Sequence, residues 1–186
     1  MDSISSEIEY KTPITLLQAL NERRNYEHNT FVDPDEKIDF FVKEVKKDEE
    51  LASMQIKKYI AKGSSAVVFE TPDGNILKLT EGSHFPLKRP VESFDVPIYK
   101  MGKVGGMRYY IEEKLFQHGL SEGFVMEIID KIKERGYKPS DIRDFDIHQI
   151  GISKDGNLYL LDPECAKYKN IFSALWRKTK KFFKHL

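Results

Sequence analysis

Residues 142–165 read IRDFDIHQIGISKDGNLYLLDPEC, and their pattern sets the expectation for the rest of the chain. Asp155-Gly156-Asn157 is a strong hairpin signal, because Asp-Gly supplies the positive-φ position that a tight antiparallel reversal needs. Ile150 and Ile152 precede it, and Leu158, Leu160 and Leu161 follow it, so strand, turn and strand are expected in succession. Asp144 stands before the first strand and Asp162 after the second. A hairpin returns its two ends to one place, and two carboxylates there repel unless a cation lies between them. Hard oxygen donors of this kind suit Mg²⁺ shared with phosphate oxygens. Taken alone, the stretch is equally an ordinary Asp-Gly hairpin whose flanking aspartates have no joint role.

Moving outward, Leu120 to Arg135 reads as an amphipathic helix, with Ser121 as N-cap and Gly136 as the stop. Phe124, Val125, Ile128, Ile129 and Ile132 form its apolar stripe. Val96 to Lys103 and Met107 to Leu115 read as a strand pair around Gly105-Gly106. Further upstream, MQIKKYIAKGSSAVVFETPDGNILKLT has the rhythm of a β-meander. Its strands are Gln55 to Ile60, Ala66 to Glu70 and Asn75 to Thr80, with turns at Gly63-Ser64-Ser65 and Pro72-Asp73-Gly74. The small residues Gly63, Ser64, Ser65 and Ala66 would let backbone N–H groups approach phosphate oxygens closely. Lys78 lies among apolar residues on the third strand. Either it faces water on an alternating strand or its face meets an anion, because burying an unpaired ammonium is costly.

Small-residue loop, strand lysine and paired-aspartate hairpin, in that order, resemble the protein kinase-like superfamily over roughly residues 54 to 166. The family pattern is H-R-D, four residues, Asn, a hairpin and D-F-G. Ile142-Arg143-Asp144 stands at H-R-D, Gln149 at the Asn, and Asp162-Pro163-Glu164 at D-F-G, with the family's spacings. The resemblance implies an α+β, kinase-like fold with an antiparallel five-stranded N-lobe sheet and a much reduced C-lobe, similar to small bacterial effector kinases. It implies ATP and Mg²⁺ as cofactors and phosphoryl transfer to a hydroxyl, with Ser/Thr of a protein as the expected acceptor. Asp144 would orient the hydroxyl and take its proton. Asp162 and Gln149 would hold Mg²⁺, and Lys78 would neutralise the α- and β-phosphates. Gly63, Ser64, Ser65 and Ala66 would cover the phosphates. Residues 111–115 would be the hinge that meets adenine through its backbone, with Glu112, Glu113 and Lys114 in it; the alternative for Glu112 and Glu113 is that they are solvated edge charges. Glu92 stands where a partner for Lys78 is sought, in a proline-rich stretch that precludes a long helix. Asp146 replaces the lysine usual in protein Ser/Thr kinases, as it is replaced in many small-molecule kinases of the superfamily. The single loop glycine and Gln149 fit equally a pseudokinase that serves as a partner-binding module.

The flanks divide the chain further, into an N-terminal helical extension (1–53) and a basic amphipathic helix (167–186) on either side of the kinase-like part (54–166). Residues 1 to about 12 read as disordered. Thr12-Pro13 and Asp33-Pro34 read as helix starts, the second helix running to about Glu50. Residues 167–186 carry seven Lys or Arg and no Asp or Glu, with Phe172, Leu175, Trp176, Phe182 and Phe183 on an apolar side. Such a helix closes a small lobe, or it lies peripherally on an anionic membrane through residues 171–186.

The 186 residues are 40 % hydrophobic and 32 % charged with zero formal net charge. That balance is globular and argues against nucleic-acid binding through bulk charge. Cys165 is the single cysteine, so an internal disulfide framework is excluded. The five histidines show no metal-ligand spacing. The start, MDSISSEIEY, lacks the apolar core of a signal peptide. A cytoplasmic setting is expected, or delivery into another cell's cytoplasm without a cleaved signal.

Overall fold

The computed structural model describes residues 7–29, 36–63, 66–81, 96–117, 121–134 and 150–161. The chain divides into two compact units, one of Met1–Pro86 with Pro97–Lys114 and the other of Leu87–Val96 with Leu115–Leu186. The architecture is α+β.

The first unit is built on a six-stranded antiparallel sheet. Its strands are β1 (Ile8–Thr15), β2 (Gln55–Lys62), β3 (Ala66–Glu70), β4 (Ile76–Glu81), β5 (Ile98–Val104) and β6 (Met107–Glu112), in the order β1-β2-β3-β4-β6-β5. Three helices, α1 (Leu16–Asn29), α2 (Glu36–Val45) and α3 (Glu49–Ser53), separate β1 from β2. Alternation along the strands buries Val67, Phe69, Leu77, Leu79 and Met107 against Leu16 and Leu20 of α1, Ile38, Phe41, Val42 and Val45 of α2 and Leu51 of α3. Each side chain of this size stabilises the fold by about 1.5–3 kcal/mol on burial. The Arg23 guanidinium lies 4.9 Å over the Tyr59 ring and 5.0 Å over that of Tyr26, which keeps this charge of α1 in contact with aromatic faces.

Three expectations are corrected here. The sheet has six strands, not five, because Ile8–Thr15 is neither disordered nor the start of a helix. Ile8, Tyr10 and Ile14 alternate with polar residues, which is strand periodicity. Pro13 is tolerated because β1 is an edge strand and its register with β2 shifts between Glu9 and Ile14. The helix begins at Leu16 instead, closed by a reciprocal box in which the Gln18 N–H donates to the Thr15 hydroxyl (3.2 Å) and the Thr15 N–H to the Gln18 amide oxygen (2.9 Å). The second helix stops at Val45 rather than near Glu50. Asp48 has extended dihedrals and accepts from the Leu51 N–H at 3.0 Å, so it starts α3 as an N-cap.

The second unit contains α4 (Glu122–Glu134) and the hairpin of β7 (Ile150–Ile152) and β8 (Leu158–Leu160), against which α4 packs. Phe116 adds an antiparallel bridge to Ile152. Gly151 gives Leu115 its place, since a Cβ there would overlap the Leu115 side chain. The helix and both strands match the sequence reading within two residues. The basic helix expected over 167–186 lies outside the described residues, as does the proline-rich stretch 82–95.

Candidate functional site

The sheet of the first unit has two different faces. One carries the helices. On the other, the register of β3, β4 and β6 sets out three rows: Ala66, Thr80 and Arg108; Val68, Lys78 and Tyr110; Glu70, Ile76 and Glu112. A sheet with one helix-covered face commonly leaves its second face in water. Here Thr80 is 2 % exposed, Tyr110 3 %, and Glu70 and Glu112 5 % each, while Ala66, Val68, Ile76, Lys78 and Arg108 are half-buried. Lys78 is the central residue of this face.

The proposed phosphate loop joins β2 to β3 and ends beside Thr80, the partner of Ala66. Gly63 donates its N–H to the Ala66 carbonyl at 2.8 Å, which closes the turn. Ser64 and Ser65 lie outside the described residues.

At the opposite end of the face, β6 runs out into the proposed hinge. Glu112 is buried, which rules out the alternative of a solvated edge charge; alternation places it on the face of Lys78, beside Ile76. The Glu113 N–H donates to the Pro97 carbonyl at 2.9 Å. β4 starts at Ile76, opposite Glu112, so the ladder ends there. Among the described residues, the Lys114 N–H makes no backbone hydrogen bond. Its ammonium is committed to the buried Glu70 carboxylate at 2.6 Å.

Glu70 went unnoticed in the sequence. It also meets Lys57 at 3.4 Å, and Lys57 reaches Glu9 at 4.0 Å, so a chain of alternating charge runs from β1 across β2 and β3 to the segment after β6. Burial alone would raise the Glu70 carboxyl; the hydrogen bond and charge of Lys114, with the charge of Lys57, outweigh it and hold it below the ordinary range. The available signal was weak: Glu70 ends an apolar strand, AVVFE, at a position whose alternation matches Val68 and Ala66.

In the second unit, the turn of the β7–β8 hairpin is as expected. Gly156 has φ of 81°, Ser153 donates to the Asn157 carbonyl at 2.9 Å, and Gly156 donates to that of Ser153 at 3.0 Å. The pairing of Ile150 with Leu160 makes the chain enter and leave at one end. That is the arrangement that donors just before Ile150 and just after Leu161 require in order to share a cation. Asp144, Gln149 and Asp162 themselves, and Glu92, lie outside the described residues. Among the described residues, no three His, Cys, Asp or Glu group to hold a metal ion, and no helix is long and apolar enough to cross a membrane. No protein-family model matches the chain, and no curated protein matches it.

Proposed function

We propose that the chain is an ATP- and Mg²⁺-dependent phosphotransferase of the kinase-like type, acting on a hydroxyl, with a protein Ser/Thr as acceptor. The observation that carries this reading is the place of Lys78 at the centre of the sheet face that also holds the buried Thr80, Tyr110, Glu70 and Glu112. On that face Ala66, at the end of the β2–β3 loop, lies at one end and the β6 exit segment at the other, so a nucleotide extended along it would have its phosphates toward Ala66 and Thr80 and its base toward Glu112 and Lys114. β6 has to insert between β4 and β5 for this, and the strand order has that insertion.

In this reading Lys78 neutralises phosphate charge, the loop from Gly63 to Ala66 covers the phosphates, and the backbone at residues 112–114 meets the base. Asp144 orients the acceptor hydroxyl and takes its proton. Asp162 and Gln149 would hold Mg²⁺, which would supply charge neutralisation at the phosphates. Positioning and charge neutralisation supply most of the rate in such reactions.

Thermal shift with ATP, with and without Mg²⁺, followed by autophosphorylation, tests the proposal. A Mg²⁺-dependent rise in melting temperature and incorporation of phosphate are expected, and both vanish in Asp162→Ala while the fold persists. Full turnover in that variant refutes the site assignment.

A second reading, a pseudokinase acting as a partner-binding module, is favoured by one observation. Gly63 has no positive φ, and among the described residues a Cβ there would meet only the Ala66 carbonyl oxygen at 3.9 Å, so nothing described requires glycine at this place. Nucleotide binding without phosphate transfer supports this alternative.

A further inference from the structure

We infer that Glu70 and Lys114 form a positioning pair that fixes the backbone of the base-binding segment and thereby sets nucleotide affinity. The inference rests on the nucleotide-binding reading above and names a residue that reading does not use. Lys114 is the last residue of the first unit before the chain passes to the second at Leu115. At such a point a chain has no ladder to hold it, since β6 ends at Glu112. Among the bonds that hold it are a hydrogen bond from the Tyr99 hydroxyl to the Glu113 carboxylate at 3.4 Å and two more. The Glu113 N–H is tied to Pro97 on one side at 2.9 Å. The Lys114 ammonium is tied to Glu70, two strands away, at 2.6 Å.

Successive N–H groups of an extended chain point to opposite edges. With the Glu113 N–H directed at Pro97, the Lys114 N–H is directed to the β4 side, past the first residue of β4. A base acceptor there would find a donor already held in place, and pre-organisation of this kind raises affinity by lowering the ordering cost of binding. Glu70 is suited to act as the anchor. It is itself 5 % exposed, it ends a strand whose preceding residue Phe69 is wholly buried, and Lys57 takes its other oxygen at 3.4 Å. Lys114 thus contributes through its backbone, and its side chain serves to hold that backbone still.

The test measures Mg-ATP affinity by calorimetry, and KM and kcat for ATP, on the full chain. Glu70→Gln and Lys114→Met are each expected to raise Kd and KM about 5- to 20-fold, with kcat within about twofold of wild type. Lys114→Arg, which keeps the cation, stays within about threefold of wild type. Lys100→Met serves as control, because it removes an ion pair of the same 2.6 Å length, to Glu50, away from this face. Amide exchange over residues 113–115 in the absence of nucleotide is expected to quicken in Lys114→Met and not in Lys100→Met. If Glu70→Gln does not fold, Lys114→Met carries the test alone, since its side chain is 40 % exposed and its loss leaves the core intact. Wild-type binding with unchanged affinity in Lys114→Met overturns the positioning role and leaves the function standing. Equal losses in Lys114→Met and Lys100→Met also overturn it. Failure of the wild-type chain to bind Mg-ATP overturns the function and this inference together.

Discussion

Gly74, Gly105 and Gly156 all have positive φ, at 81°, 55° and 81°, but they differ in what a methyl group would meet. At Gly74 and Gly156 nothing lies within 4 Å, so only backbone strain opposes a side chain. At Gly105 a Cβ would overlap the Glu44 carboxylate and lie 2.9 Å from the Lys47 ammonium. Gly105→Ala is expected to cost about 2–4 kcal/mol in urea unfolding, and Gly74→Ala about 1–2 kcal/mol. Equal losses would show that the carboxylate moves aside freely. Glu44 itself is 4 % exposed and accepts from the Gly106 N–H at 2.9 Å, so it pins α2 to the β5–β6 turn. Its carboxyl is held below the ordinary range, first by the hydrogen bond from Lys47, against the opposing effect of burial and with help from Gly106. A carboxyl lowered by folding stabilises the native state fully above its unfolded value, about 4.3. That contribution is lost as pH falls through the folded value. Glu44→Gln is therefore expected to be less stable than wild type at pH 7, and the gap is expected to narrow as the pH drops below about 4. A gap that stays constant from neutral to acid pH would refute the assignment.

The turns show where the sequence spoke clearly. Thr71-Pro72-Asp73-Gly74-Asn75 and Ser153-Lys154-Asp155-Gly156-Asn157 close two hairpins with the same bonds, first N–H to fifth carbonyl and fourth N–H to first carbonyl. Each has a hydroxyl residue first and Asp-Gly-Asn last, so local chemistry alone fixes the geometry. The strands of the meander and the span of α4 were legible for a similar reason, since their periodicities are long or bounded by glycine. β1 was misread because Thr12-Pro13 imitates a helix start, although Thr15 and Gln18 three residues on form the true capping box. Thr15→Ala is expected to lower stability by about 1 kcal/mol in chemical denaturation. No loss on this substitution would mean that packing of Leu16 and Leu20 alone sets the start of α1. The division of the second helix was missed because Asp48 lies in a run of charge, KKDEE, whose composition looks helical throughout.

At the scale of the molecule, the sequence disclosed the sheet that holds Lys78 but not the burial of its companions on that face. Burial of Glu70, Glu112 and Thr80 depends on which strands become neighbours, and the insertion of β6 between β4 and β5 has no local signal. The lysine could be picked out because its neighbours are apolar, whereas its companions Glu70 and Lys114 are joined across 44 residues and become visible only in three dimensions. Deleting residues 1–15 is expected to expose the β2 edge and to promote self-association, because an unpaired strand edge invites another chain. Light scattering before and after the deletion measures this, and a monomeric, equally stable product would show that the sheet is complete without β1.

The long connection between β1 and β2 bears on how the protein is made. Lys58 meets Glu7 across 51 residues, with three helices between. During synthesis the earliest strand therefore waits without a partner until the helices and then β2 have emerged, and pairing over such a separation carries a loop-closure cost that slows folding. In that interval Ile8, Tyr10 and Ile14, which pack against the core in the finished fold, stay open to other contacts.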